Sequence, residues 1–572
     1  MWKEILKVKP ANKKAQALIL AFMVIATFVV LLLPLLKKIF YENEILNRQK
    51  LEKEAFYYAG GGIDEGINWF RNQIANFNFN PADPTVLNPP QPPPSVYATG
   101  AVANLVITDS GIAPASIVVD GTSVTVRPYI FTSTCTHPSN ANIRVTINQV
   151  VLIRLTGAFQ YAAFYNDDLE LLPGADMTFS GRIFSNNNIY LGSDGRTLTI
   201  GKSTADSAYL RGAANIYNAR KDGGTNADGA VKIEVADSSP ARYVDMHDPL
   251  DPSYPNPLDS TDVNWLSDSQ GAWNGTVQTS ANGVTKKAVP VVGSIASDAT
   301  GYYYNYINTK NKGILVTGST TGNTIKCNGI TLTESATPGT NKIPTGTIIT
   351  SSVYDAREKT NIKMTTIDLN KLSAGTGYTS YTNRLSQNTS GLLYAYNTDP
   401  LHPGVRLVNG STINSPQGLT VVTKDPLYIK GDYNNVAKVS SAVICDSVNL
   451  LSNNWDDAKS AGALSGRVAW TTTINTAFVA GVDTTTATPK QYNGGLENYP
   501  RLLEDWSGKN LNINGSFVEL WNTQVAQGKW PGTGTVYNPP NRVWAYDANL
   551  ANNPPPFTPW AVEAQRGAWW KS

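Results

Sequence analysis

Cysteine and histidine are both scarce in this chain of 572 residues, which has three of each. Cys135, Cys327 and Cys445 are far apart in sequence, and none of them belongs to the CxxC spacing of a zinc or thioredoxin-type site. Two alternatives stay open for them: one disulfide with a leftover thiol, or three buried thiols. The histidines are equally scattered, so nothing indicates a histidine-based metal or catalytic centre.

Charge is also sparse, and it is nearly balanced. Lys and Arg total 46, Asp and Glu total 44, and charged residues make up only 16% of the chain. A nucleic-acid-binding protein needs a concentrated basic face, so that class is not indicated. Glycine (46) and proline (34) are abundant instead, which favours an extracytoplasmic β-rich protein over a cytosolic enzyme. The length predicts two to four domains.

One long hydrophobic run stands near the N-terminus. Residues 17–36, ALILAFMVIATFVVLLLPLL, carry no charge and are long enough to cross a membrane as a helix. Residues 1–16 form a basic leader with five lysines and one acid, which favours a cytoplasmic N-terminus and a body outside. The far side of the run offers no small-x-small cleavage site, so a plain secretory signal is not indicated.

The helix is predicted to continue beyond the membrane, over residues 17–79 in all. Apolar residues recur at helical spacing in its second half. This stripe consists of Phe56, Ile63, Ile67, Phe70 and Ile74. The triple glycine at 60–62 costs about 1 kcal/mol per residue in a helix interior, so it predicts a kink or a close contact. Pro34 is expected to bend the helix.

This N-terminus resembles that of type IV pilin-like proteins, and in particular the PilX-type minor pilins. The resemblance rests on the basic leader, on Ala15–Leu20 (AQALIL), and on Ala55–Ile67 (AFYYAGGGIDEGI), which is similar to the AFYLAEAGxExA of that group. It implies cleavage of the leader by a prepilin peptidase at Ala15 or Gln16. Pilins carry a glutamate at the fifth mature position. Leu20 stands there in this chain, which implies a minor or tip position.

The resemblance also implies partners and a location. The helix would pack against other pilin-like subunits, assembled by type IV pilus or type II secretion machinery. The chain would cross the inner membrane once before assembly, with its body periplasmic or at the cell surface. The residues expected to form the assembly face are Leu20, Phe56, Ile63, Ile67, Phe70 and Ile74.

After the helix the sequence consists mostly of short strand-like segments, which predicts an α+β, mostly β fold. Residues 80–95 are a proline-rich linker that is expected to be stiff and extended. Residues 96–160 form a small β domain, in which strands around 123–134 and 142–147 would pair as a hairpin under the helix.

The remaining sequence is predicted to be a β-helix or β-solenoid, with a β-sandwich as the alternative. Its two parts are residues 161–235 and 346–550. A unit of the form apolar-x-apolar-x-Gly-x-apolar recurs at 177–183, 427–433 and 511–517. Residues 236–345 contain too much proline for core strands and are interpreted as an insertion or flap. Residues 551–572 form a tail rich in tryptophan and proline.

Acidic residues in the second half allow an enzymatic interpretation. Glu497, Glu504 and Asp505 lie close together in sequence, and paired carboxylates are what a glycosidase uses. The alternative is a solvated turn in which these acids pair with Arg501 or Lys509.

Two acidic groups have a spacing at which oxygen ligands can hold calcium, although neither matches an EF-hand or an RTX repeat. They are Asp167, Asp168, Glu170 and Asp176, and Asp245, Asp248, Asp251 and Asp259.

Tryptophan is concentrated in the C-terminal part, where nine of the 13 tryptophans follow residue 450. Buried tryptophans would close the end of the β body, whereas exposed ones would stack on sugars or on other partners. Trp569 and Trp570 are the candidates for surface contact, including contact with a surface polysaccharide.

The sequence therefore predicts a membrane-anchored, non-catalytic, pilin-like subunit of a cell-surface filament or pseudopilus. Its β-rich body would serve adhesion or a tip function. No cofactor and no nucleic-acid partner are expected. Two alternatives stay open: an extracytoplasmic carbohydrate-active enzyme on the same anchor, and a single-pass envelope adhesin that does not enter a filament.

Overall fold

One long helix forms the N-terminal part of the structure. The computed structural model describes residues 13–119, 121–202, 208–225, 227–236, 238–248 and 250–572. Helix α1 runs from Lys13 to Ala75. The continuous helix predicted from the sequence is present, and neither Pro34 nor the triple glycine interrupts it. Residues 1–12 of the predicted leader lie outside the described residues.

An antiparallel sheet lies against the C-terminal half of α1. Its strands are β1 (Ser95–Val96), β2 (Val102–Asp109), β3 (Ala115–Val119), β4 (Thr122–His137), β5 (Asn140–Gly157) and the final strand of the chain, Trp560–Lys571. β4 and β5 form the predicted hairpin, with Tyr129 opposite Val151. The order across the sheet is β1-β2-β4-β5-final strand, and β3 pairs with β4. Apolar residues alternate along these strands, so one face of the sheet is apolar and packs against the helix.

The glycines of α1 allow the helix to approach the sheet closely. A Cβ atom added at Gly62 would lie 2.8 Å from the Cβ of Ala103, and one added at Gly66 would lie 1.8 Å from Cδ2 of Leu105. At Gly60, by contrast, an added Cβ would meet nothing within 4 Å. The triple glycine is therefore a close-contact site against the chain's own sheet, which was one of the two predicted alternatives.

The proline-rich segment 80–95 is packed against the small sheet. The guanidinium of Arg127 donates to the carbonyl oxygen of Asp83 at 2.9 Å and pairs with the Asp109 carboxylate at 2.5 Å. The side-chain amide of Gln91 exchanges two hydrogen bonds of 2.8 Å with the backbone of Ile107. The segment thus acts as a partner of β2 instead of a free spacer.

The remaining strands occupy residues 163–546. They are β6 (Ala163–Tyr165), β7 (Leu169–Leu171), β8 (Met177–Ser180), β9 (Ile183–Ser185), β10 (Ile189–Leu191), β11 (Thr197–Gly201), β12 (Leu210–Gly212), β13 (Ile216–Tyr217), β14 (Ala230–Glu234), β15 (Tyr243–Asp245), β16 (Val277–Gln278), β17 (Ile314–Gly318), β18 (Thr324–Cys327), β19 (Ile330–Ser335), β20 (Lys342–Pro344), β21 (Ile348–Asp355), β22 (Thr360–Asp368), β23 (Leu392–Asn397), β24 (Pro403–Val408), β25 (Leu419–Val422), β26 (Leu427–Lys430), β27 (Ser441–Cys445), β28 (Val448–Leu451), β29 (Thr472–Ile474), β30 (Ala477–Ala480), β31 (Thr486–Ala487), β32 (Lys490–Gln491), β33 (Pro500–Leu502), β34 (Asn510–Glu519) and β35 (Asn541–Tyr546). The final strand, Trp560–Lys571, is β36.

Short helices connect some of these strands. The α-helices are α2 (Trp265–Trp273), α3 (Tyr302–Lys310), α4 (Leu369–Leu372) and α5 (Arg384–Gln387). The 3₁₀ turns are Ala158–Gln160, Ser280–Asn282, Val292–Ile295, Asp457–Lys459, Leu464–Gly466, Leu496–Asn498 and Ala548–Ala551.

Parallel ladders organise the β body. One ladder runs β16-β12-β9-β6-β34-β30-β27-β25-β23-β17, a second runs β22-β24-β26-β28-β33, and two shorter ones run β13-β10-β7 and β14-β11-β8. Phe517 of β34 pairs with Ala163 of β6, so the end of the second predicted part stacks directly on the start of the first. The two parts, 161–235 and 346–550, thus share one sheet and one apolar interior.

Residues 236–345, predicted to be an insertion or flap, have a different role. They supply β16 at one end of the long parallel ladder and β17 at the other, so the chain between these strands crosses the length of the body. Tyr303 and Ile307 of α3 belong to a cluster that covers the outside of this ladder. The hydroxyl of Tyr394 in β23 donates to the carbonyl oxygen of Ile295 at 2.7 Å, which anchors the crossing segment.

The final strand returns the chain to the small sheet. Residues 551–572, predicted to be a tail, end in β36, in which Trp560 lies opposite Gly157 of β5. The Arg71 side chain of α1 donates to the carbonyl oxygen of Val562 at 3.2 Å. The whole β body is therefore inserted between two neighbouring strands of the sheet that holds the helix.

The close approach of helix and sheet predicts opposite effects for two glycine substitutions. Gly62→Ala should lower the free energy of unfolding by about 1–3 kcal/mol, because the added methyl would overlap the Cβ of Ala103, which has no other rotamer to adopt. Gly60→Ala is the matched control. It should be neutral or stabilising by up to about 1 kcal/mol, because alanine favours helix and meets no neighbour.

Urea unfolding of the full chain in detergent, followed by tryptophan fluorescence, measures both variants. Equal stability of the two variants would contradict the close-contact role of the triple glycine.

Candidate membrane and assembly helix

The N-terminal half of α1 is free of the rest of the chain. Its most apolar 18-residue window has a mean hydropathy of 3.0 and is 0% buried, and α1 is the one helix of the described residues that is long and apolar enough to span a membrane. Side chains on all sides of the helix are exposed, with Leu20 at 66% and Phe22 at 68%. Residues 13–50 extend about 57 Å at 1.5 Å per residue. Within this stretch residues 17–36 are apolar on all sides over about 30 Å, and such a surface requires lipid or other apolar helices around it.

The C-terminal half of α1 is held by the chain's own sheet. Ile63, Ile67, Phe70 and Ile74 are buried in one cluster with the strands of the small sheet. The ring centroids of Phe70 and Tyr129 are 5.1 Å apart in an edge-to-face arrangement.

These contacts correct the predicted assembly face. The helical stripe was expected to contact other subunits, yet four of its members, Ile63, Ile67, Phe70 and Ile74, are covered within the same chain. The pattern marks which face of a helix is apolar and does not say what covers that face. Leu20 remains fully accessible, and Phe56 remains partly accessible at the edge of the packed region.

A hydrogen bond and an ion pair lie where α1 meets the sheet. Nε2 of His137 lies 2.9 Å from Oε2 of Glu54. Asp64 pairs with Arg566 of β36. These two contacts connect the helix to β4 and to β36, next to the glycine contact.

Both predicted surface tryptophans belong to β36. Trp569 and Trp570 are 57% and 44% exposed. The Trp569 ring centroid lies 5.8 Å from that of Phe56, so this indole also covers part of α1. Trp569 therefore lies beside the helix, and Trp570 follows it in the same strand.

The predicted processing site lies at the start of the free helix. Ala15 and Gln16 are exposed residues in the first turns of α1, so no contact within the described part of the chain covers them.

The carboxylates considered for catalysis lie in separate local networks. Glu497 accepts a hydrogen bond from the backbone N–H of Leu172 at 2.9 Å. Glu504 accepts bonds of 2.7 Å from the N–H and the hydroxyl of Ser452. Asp505 accepts from the Ser507 hydroxyl, also at 2.7 Å. Each carboxylate thus holds a different piece of backbone.

The solvated-turn alternative is wrong for Glu497 and Glu504, whereas Asp505 is half-exposed and accepts hydrogen bonds within a turn. Glu497 and Glu504 are buried. Arg501 does not pair with either of them but with Glu358 and Asp483.

The acidic groups considered for calcium are used within the chain. Asp168 pairs with Lys221 at 2.7 Å, and Asp176 accepts from the N–H of Thr197 at 2.9 Å. In the second group, Asp245 and Asp259 likewise accept backbone N–H groups. No set of three or more His, Cys, Asp or Glu side chains among the described residues is arranged to hold a metal ion.

The three cysteines are buried and free. Of the two alternatives left by the sequence, the structure therefore has three buried thiols. Burial raises the pKa of the Cys445 thiol well above its ordinary value, which lowers its reactivity.

The burial of three glutamates near the junction of β34 and β6 was not predicted from the sequence, which singled out Glu170 and Glu497 for other reasons and missed Glu519. Burial raises the pKa of Glu170 and Glu497 to about 7, and that of Glu519 to about 8. Glu519 accepts from the N–H groups of Asn166 and Asp167 at 2.9 and 3.0 Å, which links β34 to the loop after β6. Its position in the apolar run Phe517–Leu520 is the one sequence signal of its burial.

Comparisons with known proteins add little to this geometry. No family model and no curated protein matches the chain. Among solved structures, the chain is similar to the competence-associated pilin ComZ from Thermus thermophilus, at 8% identity and a TM-score of 0.27, over 91% of this chain and 97% of that one. A TM-score this low carries no argument about fold or function.

The raised pKa of Glu519 predicts a pH-dependent stability. The folded chain holds this proton more tightly than the unfolded chain, whose ordinary value is 4.5. The contribution is therefore complete below pH 4.5, and the free energy of unfolding falls as pH rises toward 8. Glu519→Gln should flatten this fall and stabilise the protein above pH 8, because glutamine stays neutral and still accepts both N–H groups.

Urea unfolding at pH 5, 7 and 8.5 measures this effect. Glu44→Gln on the exposed helix is the control and should leave the pH profile unchanged. An identical pH profile for Glu519→Gln and the unsubstituted protein would refute the assignment.

Proposed function

We propose that this protein is a pilin-like structural subunit, which is anchored and assembled through the free half of α1. One observation carries the proposal: a single unbroken helix has its C-terminal part buried on an antiparallel sheet of its own chain, while its N-terminal part is uncovered and contains the charge-free apolar run 17–36. A membrane anchor alone requires about 20 apolar residues and no continuation. Here the helix continues without a break into the folded body, so forces on the anchor pass directly to the sheet.

The finer role that we propose is that of a minor pilin of the PilX type, at or near a filament tip, in a type IV pilus or a secretion pseudopilus. The presence of Leu20 in place of an intramembrane acid supports it, because a buried carboxylate is kept only where it has a partner. A large body inserted between β5 and β36 also favours a position where one bulky subunit can be accommodated. The partners are other pilin-like subunits and their assembly machinery.

We further propose that the body is a β-solenoid and acts outside the cell without catalysis, in adhesion or at the tip. The parallel ladders, in which strands one coil apart pair in register, support the solenoid over the sandwich. The structural use of Glu497 and Glu504 supports a non-catalytic role. Before assembly the chain would cross the inner membrane once, and afterwards its body would lie at the cell surface, where a polysaccharide is a possible partner.

Cysteine cross-linking in cells tests the assembly role. The three native cysteines are buried, so an introduced cysteine on the surface is the one thiol of this chain that is accessible for cross-linking. Leu32→Cys, 48% exposed on the free helix, should form disulfide-linked products with cysteine-bearing neighbours at the same depth. Val118→Cys, 75% exposed on β3, is the control and should stay monomeric. Equal cross-linking at both positions, or none at residue 32, would contradict assembly through the helix.

N-terminal sequencing of the protein isolated from cells tests the leader. Cleavage by a prepilin peptidase should give a mature protein that begins at or next to Ala15 or Gln16. A protein that still begins with Met1 would contradict processing as a pilin.

A further inference from the structure

The junction between the small sheet and the β body contains a cavity of 390 Å³. This volume lies within the range of about 300–1,000 Å³ that is usual for ligand sites. Four separate parts of the chain form its walls: the end of α1, the small sheet, the start of α3, and the segment that leads into β36. The lining aromatic residues are Phe77, Phe79, Phe159, Tyr302, Phe557 and Trp560.

Two of these aromatic residues have an unusual backbone conformation, and their rings are held by neighbouring rings. Phe77 and Phe557 have φ angles of 61° and 59°, in the left-handed region that bulky residues rarely occupy. The Phe77 ring is stacked on that of Tyr302, with centroids 4.1 Å apart and an interplanar angle of 12°. The Phe557 ring stands edge-to-face to Tyr306 at 4.8 Å. The aromatic walls are thus held in place before any ligand binds.

The polar groups of the cavity are uncharged, and some of them are uncommitted. In the part of the chain that the structure describes, no Asp, Glu, Lys, Arg or His side chain lines it. Within the described residues, the hydroxyls of Thr125 and Tyr302 and the side-chain N–H₂ of Asn80 make no hydrogen bond to the protein. Other polar groups are already used: Gln160, for example, donates to the carbonyl oxygen of Ser123 at 2.7 Å and accepts from its N–H at 2.9 Å.

We propose that this cavity binds a neutral saccharide of one or two rings. A pyranose ring presents an apolar C–H face that stacks on an aromatic ring, and a rim of hydroxyl groups that need neutral donors and acceptors. The cavity offers both features, and it offers no counter-charge for an ionic ligand. An all-apolar ligand would leave the half-buried hydroxyls of Thr125 and Tyr302 without partners, at a cost in free energy.

The inference rests on the proposed function in one respect: a site for cell-surface glycan is useful only if the body is displayed outside. Binding itself is a property of the isolated protein. It can therefore fail while assembly succeeds, or succeed while assembly fails.

Saturation-transfer NMR on the full chain tests the proposal, in a zwitterionic detergent whose head group contains no sugar. The probes are glucose, galactose, N-acetylglucosamine and their disaccharides, with glucuronate as the charged match of glucose. We expect saturable binding of at least one neutral sugar and weaker binding of glucuronate. Absence of saturable binding by every neutral probe, or preference for glucuronate, would overturn the proposal.

Isosteric variants locate the binding within this cavity. Thr125→Val and Tyr302→Phe remove one hydroxyl each, keep the shape of the walls, and should weaken binding roughly three- to tenfold. Thr136→Val, an exposed position on the same strand as Thr125, is the matched control and should bind as the unsubstituted protein does. Unchanged affinity in both cavity variants would show that any sugar binds elsewhere and would overturn the assignment.

Discussion

The packing of α1 against its own antiparallel sheet is the interaction on which the rest of the structure depends. It requires glycine at the contact, because the Cβ of Ala103 leaves no room for a side chain at Gly62. This packing also buries the apolar stripe of the second half of the helix. What remains uncovered is the first half, in which residues 17–36 are apolar all round. The same helix is therefore part of the folded core at its C-terminal end and presents an uncovered apolar surface nearer its N-terminal end.

Closure of that sheet by β36 determines how the large body is attached. Because β5 and β36 are neighbours, the chain leaves the sheet and returns to it at one place. The Ala288–Val562 bridge and the ion pair between Lys287 and Glu563 add contacts there between the body and the sheet. A body attached in this way is held through two chain connections and side contacts, which is firmer than a single flexible linker would be.

Local features of the fold could be predicted from the sequence, whereas long-range pairings could not. The length and period of the apolar residues predicted α1, and alternation of apolar and polar residues predicted the β4–β5 hairpin. Both patterns depend only on residues that are close together in sequence. The partner of the stripe on α1 was assigned wrongly to other subunits. Nothing in residues 63–74 indicates that the covering sheet is completed by a strand at 560–571. Likewise, the burial of Glu519 could not be predicted, because it depends on the pairing of β34 with β6.

We propose that subunits meet through the free half of α1 while the other half stays on its own sheet. Electron cryo-microscopy of the assemblies that contain this chain would show both halves at once. We expect residues 13–50 to pack against neighbouring helices and to continue without a break into residues 51–75 on the small sheet. A helix that is broken near the triple glycine and folded back onto its own body, with no neighbour along residues 13–50, would contradict it.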